Sequence, residues 1–196
     1  MIFNMFHIPS YQIQVENWTE KQSQLLRLCN NSEFMNDDGI SEVQTSYYGE
    51  DQSLNLVHDV VNILRREIQR FGREFDIRNP IVDYAWFQKY NDKDFHIPHN
   101  HGSEGWSCVV YIKFDPEVHK PTNFIAPFYD TKGSVITHIP KVNEGTMIFF
   151  PAMLTHYAPP SESHKTRIIL SFNIRTREMR VGCLLKYLQS YVLSQQ

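Results

Sequence analysis

The sequence is poor in cysteine and in long apolar runs. Its 196 residues include three cysteines, Cys29, Cys108 and Cys183, an odd and widely spaced set. Such a set fits small buried side chains in a reducing compartment better than a disulfide framework. No stretch approaches the roughly 20 apolar residues of a membrane-spanning helix. The opening MIFNMFHIPSYQIQV is interrupted by polar residues, unlike a signal peptide. We therefore expect a cytoplasmic protein without a membrane partner.

A basic surface of the kind that binds nucleic acid is also missing. Nineteen Lys and Arg are scattered among 22 Asp and Glu, and the formal net charge is −3. Nucleic-acid binding draws its affinity from concentrated positive charge, so we expect no such partner. No repeat or linker divides the chain, and we expect a single domain over residues 1–196. The sequence leaves the oligomeric state open.

Helical signals are confined to about residues 1–79. Asn17, with Glu20 three positions later, predicts a capping box at the start of a short helix over residues 17–31. After Asp51, apolar residues recur at three- and four-residue steps, which predicts one amphipathic helix packed on a sheet and ended by residues 79–80. The members of this stripe are Leu54, Val57, Val61, Leu64, Ile68, Phe71 and Phe75.

From about residue 80 to 178 the chain consists of short segments rich in β-branched and aromatic residues, separated by turn residues. The predicted strands are 81–90, 106–114, 123–129, 134–139, 146–150 and 166–175. Many short strands with turns between them predict a mainly β fold of the sandwich or jelly-roll type. Because the helices precede the strands, they should flank one outer face of the sheets. Residues 181–196 fit a helix and an edge strand equally well.

The segment FHIPHNHGSEGW, residues 95–106, concentrates histidine. Alternate side chains of a strand leave on the same face, so His99 and His101 should project together. A third candidate ligand, His156, follows the glycine turn and apolar strand of GTMIFFPAMLT. A lone histidine is more often a surface or hydrogen-bonded core residue than a ligand. The pair and the later histidine together indicate a metal site.

Arg167 opens the apolar strand RIILSFNI. Burying an unpaired charge costs several kcal/mol, so an inward-facing guanidinium indicates an anionic ligand. Arginine is also the side chain suited to a bidentate grip on a carboxylate. The alternative is that Arg167 faces solvent or closes an internal ion pair.

In combination these residues resemble the Fe(II)/2-oxoglutarate-dependent oxygenases. That family carries H-x-D/E on an early strand, a distal histidine behind a G-x-apolar-x-F-P strand, and an Arg or Lys further on. The corresponding positions here are His99-Asn100-His101, His156 behind 145–151, and Arg167. The segment WFQKYNDKDFHIPHNHGSEGWSCVVYIKFD is similar to a group of such oxygenases from marine phages and bacteria, as are QTSYYG and RIILSFNI.

The resemblance implies a double-stranded β-helix, a jelly roll of cupin-like type, over about residues 80–178. It implies three Fe(II) ligands, His99, His101 and His156. It also implies that Arg167 binds the distal carboxylate of 2-oxoglutarate, with the hydroxyls of Tyr111 and Ser171 nearby. The implied reaction uses O2, converts 2-oxoglutarate to succinate and CO2, and hydroxylates a small-molecule or peptidyl substrate that the sequence does not identify.

The second ligand position departs from the family pattern, because it is His101 and not a carboxylate. Three neutral imidazoles leave a bound metal with its full positive charge, which should strengthen its hold on an anionic co-substrate. Glu104 could supply the carboxylate if its loop folds back. His96 and Asp94 are further alternatives.

Other functions fit parts of the same pattern. Cupins also carry H-x-H followed by a Glu, here Glu104, and Gly145, Pro151 and His156 match the spacing of a later cupin motif. Met153 stands where that motif has a glycine, and Arg167 has no role in a cupin. A hydrolytic zinc site would need a general base that the sequence does not show. A non-enzymatic β-sandwich with surface histidines is the last alternative.

Several large aromatic residues are candidates for the mouth of the pocket, although in β proteins such residues more often lie in the core. They are Trp86, Trp106, Tyr47, Tyr48 and Tyr157.

Overall fold

The computed structural model describes residues 8–37, 41–49 and 54–176, which form helices followed by antiparallel sheets. The helices are α1 (Trp18–Asn31), α2 (Leu54–Ile63) and α3 (Arg65–Glu74). The strands are β1 (Tyr11–Gln14), β2 (Met35–Asn36), β3 (Gln44–Thr45), β4 (Ile81–Tyr90), β5 (His96–His99), β6 (Trp106–Lys113), β7 (Asn123–Tyr129), β8 (Val135–His138), β9 (Thr146–Pro151), β10 (His156–Ala158) and β11 (Arg167–Arg175). Cys183 and the predicted element at 181–196 lie outside the described residues.

Two sheets face each other. The larger has the strand order β1-β9-β6-β11-β4-β3-β2 and the smaller the order β5-β10-β7-β8. From β4 onward the chain passes repeatedly between the sheets, with β4, β6, β9 and β11 in one and β5, β7, β8 and β10 in the other. This interleaving is the double-stranded β-helix that the sequence predicted, and it opens a pocket between the sheets.

Side-chain alternation along the strands creates two apolar layers. On β11, Ile168, Leu170 and Phe172 pack in the layer that the helices share, while Ile169 packs in the layer between the sheets. In the outer layer Phe71 of α3 stacks on Phe149 of β9 at 4.3 Å between ring centroids. Burying one such side chain contributes about 1.5–3 kcal/mol. The helices therefore cover one outer face of the larger sheet, as predicted.

The predicted single helix after Asp51 is two helices. α2 ends at Ile63 and α3 begins at Arg65, with Leu64 between them in a non-helical conformation. The buried positions are Leu56, Val60, Leu64, Ile68 and Phe71, and α3 ends at Glu74, before residues 79–80. On α2 these positions shift by one residue from the predicted stripe.

The predicted capping box at α1 is wrong. Asn17 has φ 52° and its side chain makes no capping hydrogen bond. A capping side chain needs extended dihedrals to reach the free N–H groups of the first turn, and the left-handed conformation of Asn17 prevents this. Glu20 instead accepts a hydrogen bond from Gln24 Nε2 at 3.3 Å.

A glycine is required at the turn into β9. Gly145 has φ +79°, and an added Cβ would lie 2.8 Å from the ring of Trp18 on α1. Its N–H donates to the Tyr111 carbonyl at 2.8 Å. The turn therefore fixes both the start of β9 and the position at which Trp18 of α1 packs. No helix in the described part of the chain is long and apolar enough to cross a membrane.

Candidate metal centre and co-substrate chamber

Strand pairing brings two of the three predicted ligands side by side. His99 is the last residue of β5, His156 is the first of β10, and the two are register partners. His101 lies beyond the end of β5, and its N–H donates to the Ala152 carbonyl at 2.9 Å. The predicted reason for grouping His99 with His101, a shared strand face, is therefore wrong. A backbone hydrogen bond to the turn after β9 places His101 instead.

The three histidines form a cluster with the geometry of a metal site. One ring nitrogen of each lies within 4.8 Å of those of the others. The Nε2 atoms of His101 and His156 are 3.3 Å apart. Two nitrogens about 2.1 Å from one metal ion lie roughly 3.0–3.4 Å apart for ligand angles between octahedral and tetrahedral. The spacing fits a shared divalent ion.

Backbone carbonyls fix the tautomer of two of these rings. Nδ1 of His99 lies 2.8 Å from the Ile97 carbonyl, and Nδ1 of His156 lies 2.9 Å from the Leu154 carbonyl. Because a carbonyl oxygen only accepts, each Nδ1 carries the proton and each Nε2 keeps a lone pair for a metal.

The cluster is held neutral. Burial lowers the pKa of His156 well below its usual value and also lowers that of His99. Burial, followed by the charge of His99, lowers the pKa of His101 to about 4. Protons therefore compete little with a metal ion for these nitrogens at neutral pH.

The alternative ligands lie outside the cluster. Glu104 is exposed. The Asp94 carboxylate accepts the Asn91 N–H at 2.7 Å in a turn. His96 stacks beside His99 with ring centroids 4.0 Å apart, but its Nδ1 accepts a hydrogen bond from Gln88 Nε2 at 3.1 Å.

Arg167 is a buried guanidinium with free donors. The residue is 2% exposed, and its Cζ lies 3.9 Å from the centroid of the Tyr90 ring. Nη1 donates to the Lys120 carbonyl, whereas Nε and Nη2 have no hydrogen-bond partner among the described residues. No carboxylate of the described chain forms an ion pair with it. Arg167 is therefore buried, as predicted, and its charge has no anionic partner among the described residues.

A small chamber between the sheets adjoins the histidines. Its walls include His99, His156, Tyr90, Thr122 and Ser171. Tyr90 is the residue on which Arg167 stacks.

Two hydroxyls lie at or beside this chamber. The hydroxyl of Tyr111 accepts the Thr122 N–H at 3.0 Å, so its own proton remains to be donated. Ser171 Oγ lies 3.5 Å from Gln88 Oε1. Tyr111 is fully buried and Ser171 lies in the chamber wall.

A second cavity lies outside the histidines and forms a cleft of about 330 Å³. Three of the aromatic candidates for the mouth line it, Tyr47, Tyr48 and Trp86. Tyr157 lines the inner chamber, while Trp106 packs in the outer core, 5.1 Å from Phe71. Sequence reasoning missed Asp37 and Gln88 in the cleft wall, because no spacing or motif marks them.

The fold and the site define a class: a double-stranded β-helix with a three-histidine cluster that could hold a metal ion, near a buried arginine without an ion-pair partner among the described residues. Residues 84–173 match the model of a family described as "Putative 2OG-Fe(II) oxygenase". The matched segment contains His99, His101, His156 and Arg167. Over these residues the chain is similar to that family, and the match covers just under half of the chain. No curated protein matches the sequence.

Solved structures of oxygenases share the fold. A prolyl-4-hydroxylase from Pseudomonas putida superposes with a TM-score of 0.58 at 15% identity, covering 87% of this chain and 94% of its own. A viral collagen prolyl hydroxylase from Paramecium bursaria Chlorella virus-1, in complex with 2-oxoglutarate, superposes with a TM-score of 0.56 at 15% identity, covering 86% of this chain and 96% of its own. HygX from Streptomyces hygroscopicus, with nickel and 2-oxoglutarate bound, superposes with a TM-score of 0.61 at 10% identity, covering 86% of this chain and 83% of its own.

Proposed function

We propose that this protein is an Fe(II)- and 2-oxoglutarate-dependent oxygenase that hydroxylates an unidentified small-molecule or peptidyl substrate, with Fe(II) held by His99, His101 and His156 and 2-oxoglutarate held by Arg167. The observation that carries the proposal is the pairing of two features in one cavity system. Three neutral imidazoles converge at the mouth of the fold, and a buried guanidinium with two unpartnered nitrogens stacks on Tyr90 of the adjoining chamber. We propose that a dianion with a carboxylate at each end bridges the two.

The inner side chains supply the grip on this co-substrate. The planar fork of Arg167 binds a carboxylate through parallel hydrogen bonds. The free proton of Tyr111 and the hydroxyl of Ser171 are further donors at the inner end. Since the three imidazoles carry no charge, a divalent ion keeps both of its positive charges for the keto-acid end.

The chain's contribution to the reaction is to position the groups and to exclude water. When bound, iron and 2-oxoglutarate supply the oxidising power, and 2-oxoglutarate is converted to succinate and CO2. Apolar residues of the chamber wall, among them Val109, Ala158 and Ile169, keep bulk water from the inner end. The outer cleft leads the substrate to the opposite side of the histidines.

Arg167 also separates this proposal from the cupin alternative. In a cupin-like site Arg167 would bind nothing, and an unpaired buried charge would lower the stability of the fold by several kcal/mol. A hydrolytic zinc site would need a general base, and Glu104 is exposed.

We further propose that the helical part and the jelly roll work as one domain, and that this domain acts in the cytoplasm without a nucleic-acid partner. The helices and the larger sheet share one apolar layer. Cys29 and Cys108 are buried free thiols, which suits a reducing compartment.

Anaerobic titration of the Fe(II)-loaded protein with 2-oxoglutarate tests the proposed function. We expect the visible metal-to-ligand charge-transfer band of a bidentate keto acid. In Arg167→Ala the metal content should be unchanged and the band should need far more 2-oxoglutarate. Lys165→Ala, two residues away and exposed, is the matched control and should titrate as the wild type does. A protein that holds iron but gives no band would favour the cupin-like site.

A further inference from the structure

The outer cleft has a one-sided distribution of charge. Asp37 is the one carboxylate among the described residues that line it, and none of those residues is Lys or Arg. Lys89, next to Gln88 of the wall, extends its ammonium over the Phe34 ring at 3.7 Å. The described wall of the cleft therefore presents one carboxylate and no lysine or arginine.

Asp37 forms no ion pair with a lysine or arginine of the described chain. Its side chain is 21% exposed, and its nearest partners are His96 Nε2 at 3.8 Å and the Tyr48 hydroxyl, which donates at 3.4 Å. A largely buried carboxylate of this kind gains from a cation that enters the cleft.

Aromatic rings line the path from this carboxylate to the metal centre. Tyr47 makes edge contacts with Tyr48 at 5.1 Å and with Trp86 at 5.4 Å. The Trp86 ring in turn lies 5.4 Å from the ring of His101. Aromatic faces attract cations and also pack against alkyl stems. The wall can therefore hold an alkylammonium or alkylguanidinium group along its whole length.

The two charged side chains adjoin different cavities. Arg167 stacks on Tyr90, which lines the inner chamber, and Asp37 lines the outer cleft. The outer cleft therefore offers a negative group to a ligand, while the inner chamber lies near a positive one.

We propose that the substrate carries a positively charged amine or guanidinium group, held by Asp37 and the rings of Tyr47 and Tyr48, with its stem along Trp86. The inference rests on the proposed function, because it assigns the outer cleft to the substrate of that oxygenase.

Matched probes test the charge preference. The protein, loaded with Ni(II) and 2-oxoglutarate to prevent turnover, is titrated with the Nα-acetyl amides of lysine, norleucine and glutamate. These probes differ mainly in side-chain charge. We expect the lysine probe to bind about tenfold more tightly than the norleucine probe, and the glutamate probe to bind least. Added salt should narrow the difference.

A fourth probe separates the two sources of such a group. n-Butylamine carries the lysine side chain without a backbone. Binding comparable to that of the lysine amide would identify a small-molecule amine as the substrate class, and much weaker binding would identify a peptidyl one. The absence of any preference for positive charge, including the absence of binding by all the probes, would overturn the inference.

Variants assign the preference to the cleft. Asp37→Asn should abolish the preference for the lysine probe, whereas Asp59→Asn, on the exposed face of α2, should retain that preference. Tyr48→Leu should weaken the binding of the lysine probe more than the binding of the norleucine probe. A preference that survives Asp37→Asn would overturn the role of this carboxylate. The iron and 2-oxoglutarate titration of the same preparations separates the two proposals, because its failure would count against the oxygenase chemistry and not against the charge of the cleft.

Discussion

Arg167 is the residue at which burial and charge conflict most strongly. Its guanidinium is removed from water, stacks on Tyr90 and leaves two nitrogens without partners among the described residues. Breaking the pairing of a buried charge typically costs about 3–5 kcal/mol. The ligand-free protein is therefore less stable by part of this amount, and an anion bound to the guanidinium should restore the lost stability.

Replacing Arg167 with methionine should therefore separate binding from stability. We expect Arg167→Met to unfold at the same temperature as the wild type or higher when 2-oxoglutarate is absent, because an unpaired charge is removed while the apolar stem remains. The stabilisation by added 2-oxoglutarate should disappear. Thermal unfolding with and without 2-oxoglutarate measures both effects. Lys165→Met is the control, and a ligand-dependent shift that persists in Arg167→Met would contradict the assignment.

His101 decides the charge of the metal centre. In His101→Asp we expect the metal to be retained, since two histidines and one carboxylate also hold iron. The carboxylate cancels one unit of positive charge, so the affinity for 2-oxoglutarate should fall by about tenfold. Metal analysis and 2-oxoglutarate titration test this, with His156→Ala as the variant that should lose metal. Unchanged 2-oxoglutarate affinity in His101→Asp would show that the charge of the metal centre does not determine how tightly 2-oxoglutarate binds.

At the scale of elements, the long strands were predictable and the short ones were not. All six predicted strands are confirmed, and their ends differ by at most one residue. β5 and β10, with four and three residues, are too short to show a periodicity. Their pairing nevertheless brings His99 and His156 together. The sequence could predict which histidines to group, whereas the register that groups them depends on contacts between distant segments.

The helices show a second limit of sequence patterns. The three- and four-residue steps predicted the outer layer, but they did not reveal the break at Leu64. Local patterns report which residues are apolar, but they do not report the backbone angles at Leu64 that separate the two helices. The residues of the outer cleft were missed for a related reason. Asp37 and Gln88 are distant in sequence, and only the folded sheet brings them to one wall.

The turn before β9 supplies a test at this scale. Gly145→Ala should destabilise the protein by about 2–4 kcal/mol, because it combines a left-handed conformation with a clash against Trp18. Gly133 has nearly the same φ, +78°, but an added Cβ there meets nothing within 4 Å. Gly133→Ala should therefore cost only about 1 kcal/mol, the backbone contribution alone. Urea unfolding measures the free energy of unfolding of both variants. Equal losses of stability would show that the packing of α1 against this turn does not depend on Gly145.

At the scale of the whole molecule, the histidine cluster links stability to protonation. Four neighbouring imidazoles are removed from water at the junction of the two sheets, and burial lowers the pKa of each. In the unfolded chain the same groups titrate near the usual value of about 6.5. Above that pH neither state binds protons at these groups, so they do not affect the balance between folded and unfolded protein.

Below that pH the two states differ. The unfolded chain takes up protons while the folded cluster stays neutral, down to about pH 4 at His101 and about pH 3 at His96. Because the unfolded state then binds more protons, the stability of the metal-free protein should fall as the pH is lowered through this window. Each histidine adds a slope that approaches about 1.4 kcal/mol per pH unit.

Urea unfolding of the metal-free protein between pH 7.5 and pH 5.5 should measure this slope. We expect His96→Gln to reduce the slope of stability against pH by the contribution of one histidine. This substitution removes one buried imidazole and leaves the three proposed metal ligands in place. His58→Gln, at an exposed position on α2, should leave it unchanged. If stability were flat from pH 7.5 to 5.5, the folded histidines would take up protons as those of the unfolded chain do, and burial would not keep the cluster neutral. Saturating metal at pH 7 should instead raise the stability, since only the folded chain holds the three ligands together.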